Sequence, residues 1–443
     1  MNVPLSSSKA RLVLYFGSLI LAAPLSFFSL RNAWAEHVAA SQALPGLEVA
    51  ARLEPGNARN WYLLGHYWQY NLDQRDAARA IVSYQKALAL DPRSSPAWLD
   101  LGESYESVGE LQSARDAFVR ARDAYPISAE VAWRYGNFLL RQGELSAAFR
   151  EIRQSLTAEP GRAPEAVTLC WRAAPEINAI LDEALPASRE VYLSALNVLV
   201  GQRETDASLA VWERLVSLQP KLQLGDAAAF LDALLAKRQI VEARKVWTQA
   251  LALSGTSRPD DSADSLIWDG EFETDVNVGF AWRFTPARGA QISFDDQVKH
   301  SGNRALRVHF DGTQNASFYN VCQFVAVAPG SFYRFSAWMR TEALTTDRGI
   351  FFQAATPESP AAIAGMTPEL RGTEQWSPVT LPLTVGKDIH LLQICLVRMP
   401  SQKLDNKIAG TVWVDSVSLT RETPSSPAGR PARRAAPGKK DQP

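Results

Sequence analysis

The sequence predicts a multidomain chain of separate α and β parts: an N-terminal membrane helix, an α-solenoid of helical hairpins, and an antiparallel β-sandwich. Three observations predict it. A run of 19 residues without a charge lies near the N-terminus, a set of small and aromatic residues recurs every 34 positions, and after residue 265 the chain breaks into short segments rich in β-branched and aromatic residues. At 443 residues the chain exceeds what one hydrophobic core serves, so two or three domains are expected. A formal charge of -1 and the lack of any groove-reading or strand-reading motif exclude nucleic acid as a partner class. Three cysteines, Cys170, Cys322 and Cys395, exclude a disulfide-dense scaffold and supply no CxxC pair.

The apolar run "LVLYFGSLILAAPLSFFSL", residues 12–30, follows Lys9 and Arg11. It has the length of a bilayer-crossing helix, and the preceding basic residues keep the N-terminus in the cytoplasm and send the bulk to the periplasm or exterior. Residues 1–35 are therefore read as a cytoplasmic N-terminus and signal anchor in the inner membrane. "AWA", residues 33–35, has the form of a signal-peptidase site, and cleavage at Ala35 with secretion is the alternative.

The solenoid is expected over residues 36–253 as five or six hairpins, the middle one degenerate. Trp98, Leu101, Gly102 and Tyr105 are followed by Ala114, Phe118, Ala121 and Pro126. Moving on by 34 gives Ala132, Tyr135, Gly136 and Leu139, then Ala148, Ile152, Ser155 and Pro160. Moving back gives Trp61, Leu64, Gly65 and Trp68, then Ala80, Tyr84, Ala87 and Pro92, with three extra residues in the turn. Small residues let paired helices approach, large ones fill the layer between hairpins, and the proline ends the second helix. No hairpin buries its apolar face alone, so the units stack.

With this spacing, residues 58–160 resemble the tetratricopeptide-repeat family. The resemblance implies an inner face formed by the first helix of each hairpin and used to bind proteins. At the matching positions that face presents Tyr62, His66 and Tyr70, then Leu99, Glu103 and Glu106, then Trp133, Asn137 and Arg141. Asn137 with Arg141 resembles half of a clamp for a peptide carboxylate, although two acidic residues stand in the neighbouring repeat. An aromatic and mixed-charge groove for a peptide segment is the broader expectation.

Residues 254–265, "SGTSRPDDSADS", read as a linker. Beyond it "ALRVHF", "YNVCQFVAV", "YRFSAWMR", "GIFFQA", "VTLPLTV", "HLLQICLVRM" and "TVWVDSVSL" are separated by turn formers, which predicts a sandwich of eight or nine strands over residues 266–421. "WDGEFE", "HSGNRALRVHF", "VCQFVAVAPGSFYRFSAWMR" and "VWVDSVSL", in that order, resemble jelly-roll modules related to carbohydrate-binding and galactose-binding-like domains. The resemblance implies a structural calcium, for which Glu273 and Asp415 with carbonyls near His300 are the candidate ligands. Glycan contact would fall to Tyr319, Gln323, Phe351, Gln353, Trp376 and Gln393 by residue type. Cys322 and Cys395 lie in expected strands and are either a single bridge or two buried thiols.

Residues 422–443 close the chain as a basic, proline-rich tail, expected to be disordered. None of the five histidines sits in a metal or nucleophile motif, and there is no phosphate-binding loop, so no catalytic residue is assigned. The expectation is a non-enzymatic envelope scaffold that binds protein partners and glycan, in surface polysaccharide assembly or export, with no cofactor beyond the calcium. A purely protein-binding adaptor and a polysaccharide-active hydrolase or lyase are the alternatives.

Overall fold

A computed structural model describes residues 8–258, 264–357 and 359–422. The expected tail, apart from Glu422, and the middle of the expected linker lie outside these residues. The chain forms two compact units, residues 1–198 and 199–443, so the last helices group with the sandwich rather than with the repeats.

In the first unit α1 (Ser8–Ala40) and α2 (Leu44–Leu53) precede three regular hairpins. These are α3 (Ala58–Tyr70) with α4 (Ala77–Leu90), α5 (Ser95–Ser107) with α6 (Leu111–Ala124), and α7 (Ala129–Arg141) with α8 (Leu145–Ala158). The side chains of Asn57, Asp76 and Ser128 accept hydrogen bonds from backbone N–H groups at the starts of α3, α4 and α7. The repeating glycines have the predicted reason: a Cβ on Gly65 would meet the Tyr84 ring at 2.7 Å, and one on Gly102 the Phe118 ring at 3.1 Å. The two repeat tryptophans are locked alike, Trp61 donating to the Pro55 carbonyl at 3.0 Å and Trp98 to that of Pro92 at 2.9 Å. The degenerate middle is α9 (Ala163–Ala173), a one-turn α10 (Ile177–Ala179) and a π turn (Ile180–Ala184). The α11 helix (Arg189–Gly201) spans the division between the units.

The α1 helix continues past the apolar run. Residues 11–40 are long and apolar enough to cross a membrane or to act as a signal sequence. The side chains of Leu12 to Leu30 lie exposed, whereas Ala35 and Ala39 are buried in a cluster with Leu47, Ala50 and Ala51 of α2 and Leu64 of α3.

In the second unit α12 (Thr205–Ser217), α13 (Ala228–Ala236) and α14 (Ile240–Ser254) lead to ten strands. These are β1 (Arg283–Phe284), β2 (Ala290–Asp295), β3 (Ala305–Asp311), β4 (Phe318–Ala326), β5 (Phe332–Leu344), β6 (Phe351–Thr356), β7 (Ser359–Met366), β8 (Gly372–Thr384), β9 (Leu391–Arg398) and β10 (Ala409–Glu422). All seven segments singled out in the sequence are strands. The count exceeds the expected eight or nine because β1, β2 and β7 carry only weak apolar alternation. One sheet runs β2-β3-β10-β5-β8 and the other β1-β4-β9-β6-β7, every pair antiparallel. In the inner orders 3-10-5-8 and 4-9-6-7 successive strands alternate between the sheets except at the β6–β7 hairpin, and the last strand returns beside the third, which is a jelly roll.

The inward alternation of both sheets supplies one core, with Leu306, Val308 and Phe310 of β3 against Phe352, Leu392 and Ile394 of the facing sheet. Cys322 and Cys395 stand directly opposite each other on β4 and β9 and are disulfide-bonded. The helices of this unit pack on the opening of the sandwich. Trp247 of α14 lies against Gly279, where a Cβ would meet the indole at 2.7 Å, and Arg283 pairs with Asp232 of α13.

Candidate functional site

The predicted inner face is a connected polar network on α3, α5 and α7. Its centre is Arg134, which donates through Nη2 to Asp100 Oδ1 at 2.7 Å and through Nε to Glu103 Oε1 at 2.6 Å. Tyr62 donates to the other Asp100 oxygen at 2.9 Å, and Tyr70 to the other Glu103 oxygen at 3.1 Å. Tyr84, from α4, donates to Gln69 at 2.6 Å, and the Gln69 amide in turn reaches Tyr70 and Glu103. Burial, reinforced by Asp100, raises the Tyr62 and Tyr70 hydroxyls above the ordinary phenol range, and Tyr84 more so. Burial also disfavours the charge on Arg134, but Glu103 and Asp100 outweigh it and hold the guanidinium protonated.

Above this network Tyr62, His66 and Tyr70 form a ladder of rings at i, i+4 and i+8, with centroid spacings of 6.2 and 4.5 Å. His66 and Tyr70 are exposed and Tyr62 half-buried. Further along, Arg141 grips Glu106 with both Nε and Nη2 at 2.7 Å. The predicted carboxylate clamp therefore already holds a carboxylate of its own chain, and Asn137 is turned to the Trp133 carbonyl at 3.0 Å. Two predicted face residues belong elsewhere. Leu99 is buried in the core beside Phe118 and Phe138, and Trp133 is buried under Arg162. A hydrophobic residue on the first helix of a hairpin is drawn into the layer between hairpins before it can line a groove.

Sequence reasoning missed Asp100, Arg134, Gln69 and Tyr84. The signal was present for the first two: they are 34 residues apart, the same repeat position carrying opposite charges in successive units.

The glycan candidates of the sandwich do not gather. Tyr319, Gln323, Phe351, Gln353 and Gln393 lie on one sheet, whereas Trp376 lies on the other, edge-on to His300. Gln323 is buried, its amide accepting from Trp268 N at 2.9 Å and donating to Trp268 O at 2.8 Å. Phe351 and Gln353 are also buried. Tyr319, 39% exposed with its hydroxyl on Met399, and half-buried Gln393 remain accessible.

The proposed calcium ligands embrace one loop. Asp415 accepts from the N–H groups of His300 and Ser301, Glu273 from both nitrogens of Asn303, and Glu271 from the Ser301 hydroxyl. Burial, together with the nearby Glu271 charge, raises the Asp415 carboxyl to about 6 against the opposing backbone hydrogen bonds. The oxygens of Glu273 and Asp415 thus face N–H donors. Among the described residues no group of three or more His, Cys, Asp or Glu side chains is placed to hold a metal ion.

Residues 71–126 and 99–163 each match a model of the tetratricopeptide repeat. No curated protein matches the chain in sequence. Among solved structures, one described as "CBM4 structure and function" is 15% identical, covering 35% of this chain and 99% of its own, with a TM-score of 0.27. YrrB, described as a TPR protein with an unusual peptide-binding site, is 14% identical over 48% of this chain and 95% of its own, with a TM-score of 0.27. The pilF protein of Pseudomonas aeruginosa is 16% identical over 52% and 92%, with a TM-score of 0.28. Residues 71–163 of the chain are tetratricopeptide repeats, and its C-terminal strands form a jelly-roll sandwich.

Proposed function

We propose that the protein is a membrane-anchored envelope scaffold, its solenoid holding a protein segment along α3, α5 and α7 and its sandwich contacting glycan. The ring ladder Tyr62–His66–Tyr70 over an ion-paired floor carries this reading. Exposed aromatic side chains are the residue type on which binding energy concentrates. Asp100 and Glu103 share the single cation Arg134 and so keep one net negative charge, which a partner covering them would meet with a cationic or donor group. The scaffold would serve assembly or export of a surface polysaccharide, with its N-terminus cytoplasmic and its bulk outside.

The test is capture of envelope proteins by the detergent-solubilised chain, compared with a His66→Ala/Tyr70→Ala variant of equal helicity. A specific protein lost with the variant supports the groove; identical capture sets remove it. A membrane-extracted chain whose intact mass begins at Met1 supports the anchor, and a start at Glu36 replaces it by secretion. Turnover of an envelope glycan by the purified chain would move the reading to the hydrolase or lyase alternative.

A further inference from the structure

A pocket of about 520 Å³ lies inside the first unit, where α1 leaves the apolar run and packs on the turn between α2 and α3. Its lining includes Asn32 and Glu36 of α1, Glu54 and Asn57 of the turn, and Arg59 and Asn60 of α3. The inner wall is tied in place. Asn60, only 4% exposed, donates through Nδ2 to the Ala50 carbonyl and to Glu54 Oε2, each at 3.3 Å, and Asn57 Nδ2 donates to the same Glu54 oxygen at 3.0 Å. Glu54 Oε1 takes no bond among the described residues. At the mouth Glu36 and Arg59 meet at 3.6 Å, with side chains 76% and 70% exposed. A pair so exposed contributes at most about 1 kcal/mol, so it opens readily to a ligand.

Helix geometry sets the level of the pocket. At 1.5 Å per residue, Asn32 stands about 3 Å and Glu36 about 9 Å beyond Leu30, the last residue of the apolar run. The polar layer on each side of a bilayer is about 5–7 Å deep, so the pocket starts inside that layer and opens just above it. Neighbouring side chains fit the same level. Trp34, 58% exposed, is a residue type that settles at a membrane surface, and Arg31 lies over the Phe28 ring and donates from Nε and Nη2 to Asn32 Oδ1. The charge of the lining is mixed: two carboxylates, Glu36 and Glu54, against one guanidinium, Arg59. An anionic head group would meet that excess of negative charge, and a head group without a donor on its nitrogen would leave the carboxylates unbonded. A phosphate low in the pocket with an ammonium above it matches both levels.

We propose, building on the membrane-anchor reading, that this pocket seats the head group of a phospholipid that ends in a primary ammonium. The ammonium sits between Glu36 and Glu54, and the phosphate takes Arg31, Asn32 and the Arg59 guanidinium released from Glu36. At roughly 30 Å³ per water the pocket has room for about seventeen waters, ample for a phosphate and a two-carbon amine. A lipid held there ties α1 to α3 at the membrane surface.

The experiment is native mass spectrometry of the full chain extracted from membranes in mild detergent, with phosphatidylethanolamine, phosphatidylcholine and phosphatidylglycerol added in equal amounts. One spectrum reports both the retained lipid and the residue at which the chain starts. Phosphatidylethanolamine is expected to be retained at least about fivefold over each of the others. Glu36→Gln and Arg59→Gln should each lower that retention about threefold without moving the melting temperature, because both side chains are exposed. Equal retention of the three lipids by a chain that starts at Met1, or a preference for phosphatidylglycerol, overturns the pocket and leaves the anchor standing. Retention unchanged in both variants overturns it too. Displacement of the lipid by an equal concentration of free phosphoethanolamine overturns the membrane as the source of the ligand. A chain that starts at Glu36 removes the anchor and the pocket together, since Asn32 is then cleaved away.

Discussion

Replacing Arg134 by methionine tests whether the inner face is held by its ion pairs. The guanidinium side chain is 17% exposed and faces Asp100 at 5% and Glu103 at 32%. At an effective dielectric of about 20, each contact gains about 4 kcal/mol gross. Desolvating the groups cancels much of that gain, so the measurable quantity is the cost of stranding a carboxylate. Breaking a buried pair costs about 3–5 kcal/mol, and an exposed one at most about 1 kcal/mol. Asp100 belongs to the first kind and Glu103 nearer the second, and Tyr62 still donates to Asp100 in the variant. We expect about 3 kcal/mol of destabilisation for Arg134→Met, confined to the first unit. Native-state hydrogen exchange of the full chain, read on α3 to α7, measures it without assuming that both units unfold together. Asp100→Asn in the same background should restore 1 kcal/mol or more of that loss, roughly the charge part of the penalty. A single-variant loss below about 0.5 kcal/mol, or no relief from Asp100→Asn, would refute the view that this network fixes the face.

Three further outcomes follow from other parts of the molecule. Tyr62, Tyr70 and Tyr84 have raised hydroxyl pKa values in the folded chain, so their stabilisation is complete below the ordinary tyrosine value near pH 10 and is lost as pH rises beyond it. Ultraviolet titration should therefore show these three ionising only with loss of helix. Reducing the Cys322–Cys395 bridge, which spans 73 residues, should cost the sandwich about 4 kcal/mol by loop entropy, seen as a lower melting transition in reductant; an unchanged transition overturns this. With Glu273 and Asp415 oxygens turned to N–H donors, a chelator is expected to leave sandwich melting unchanged. A fall of more than about 3 °C, corresponding to roughly 1 kcal/mol for a domain of this size, would show that the loop at His300 opens to take a cation.

The repeats were legible because the hairpin imposes a spacing on every residue type that packs it. Gly65 and Gly102, with Tyr84 and Phe118 above them, recur for one steric reason, and that reason is written at a fixed period. The same period could have exposed the Asp100–Arg134 pair, since residues one repeat apart stand on neighbouring first helices. What spacing could not give is depth. Leu99 and His66 occupy the same predicted face, yet one is buried and the other exposed, because packing between hairpins decides which side of the helix is covered. In the sandwich, residue type misled for the same reason. Gln323 looks like a ligand-binding amide, but it points into the protein and satisfies a buried backbone that has no strand partner there. The packing around Trp268 joins residues from α14, the segment before β1, and β4, and no local pattern connects those places.

The N-terminal helix bears most directly on how such a scaffold would work. Residues 12–30, at 1.5 Å per residue, extend about 28 Å, close to the roughly 30 Å hydrocarbon core of a bilayer. Within five residues of that run the helix presents Ala35, fully buried, and then Ala39 to α2 and α3. No glycine or proline intervenes between Leu30 and Ala35, and α1 is unbroken from Ser8 to Ala40. One helix is thus apolar on all sides where lipid would surround it and small on one side where the repeats pack against it. Alanines at 35 and 39 lie one turn apart on the same face, which lets α2 approach closely. Of the two small residues that give "AWA" the form of a cleavage site, Ala35 therefore has a packing reason for being small, whereas Ala33 is exposed. The helix runs on from the apolar run to Ala40, and Ala35 and Ala39 pack on α2 and α3, so in an anchored chain this packing would keep the first repeat, with the ring ladder of α3, close to the lipid surface.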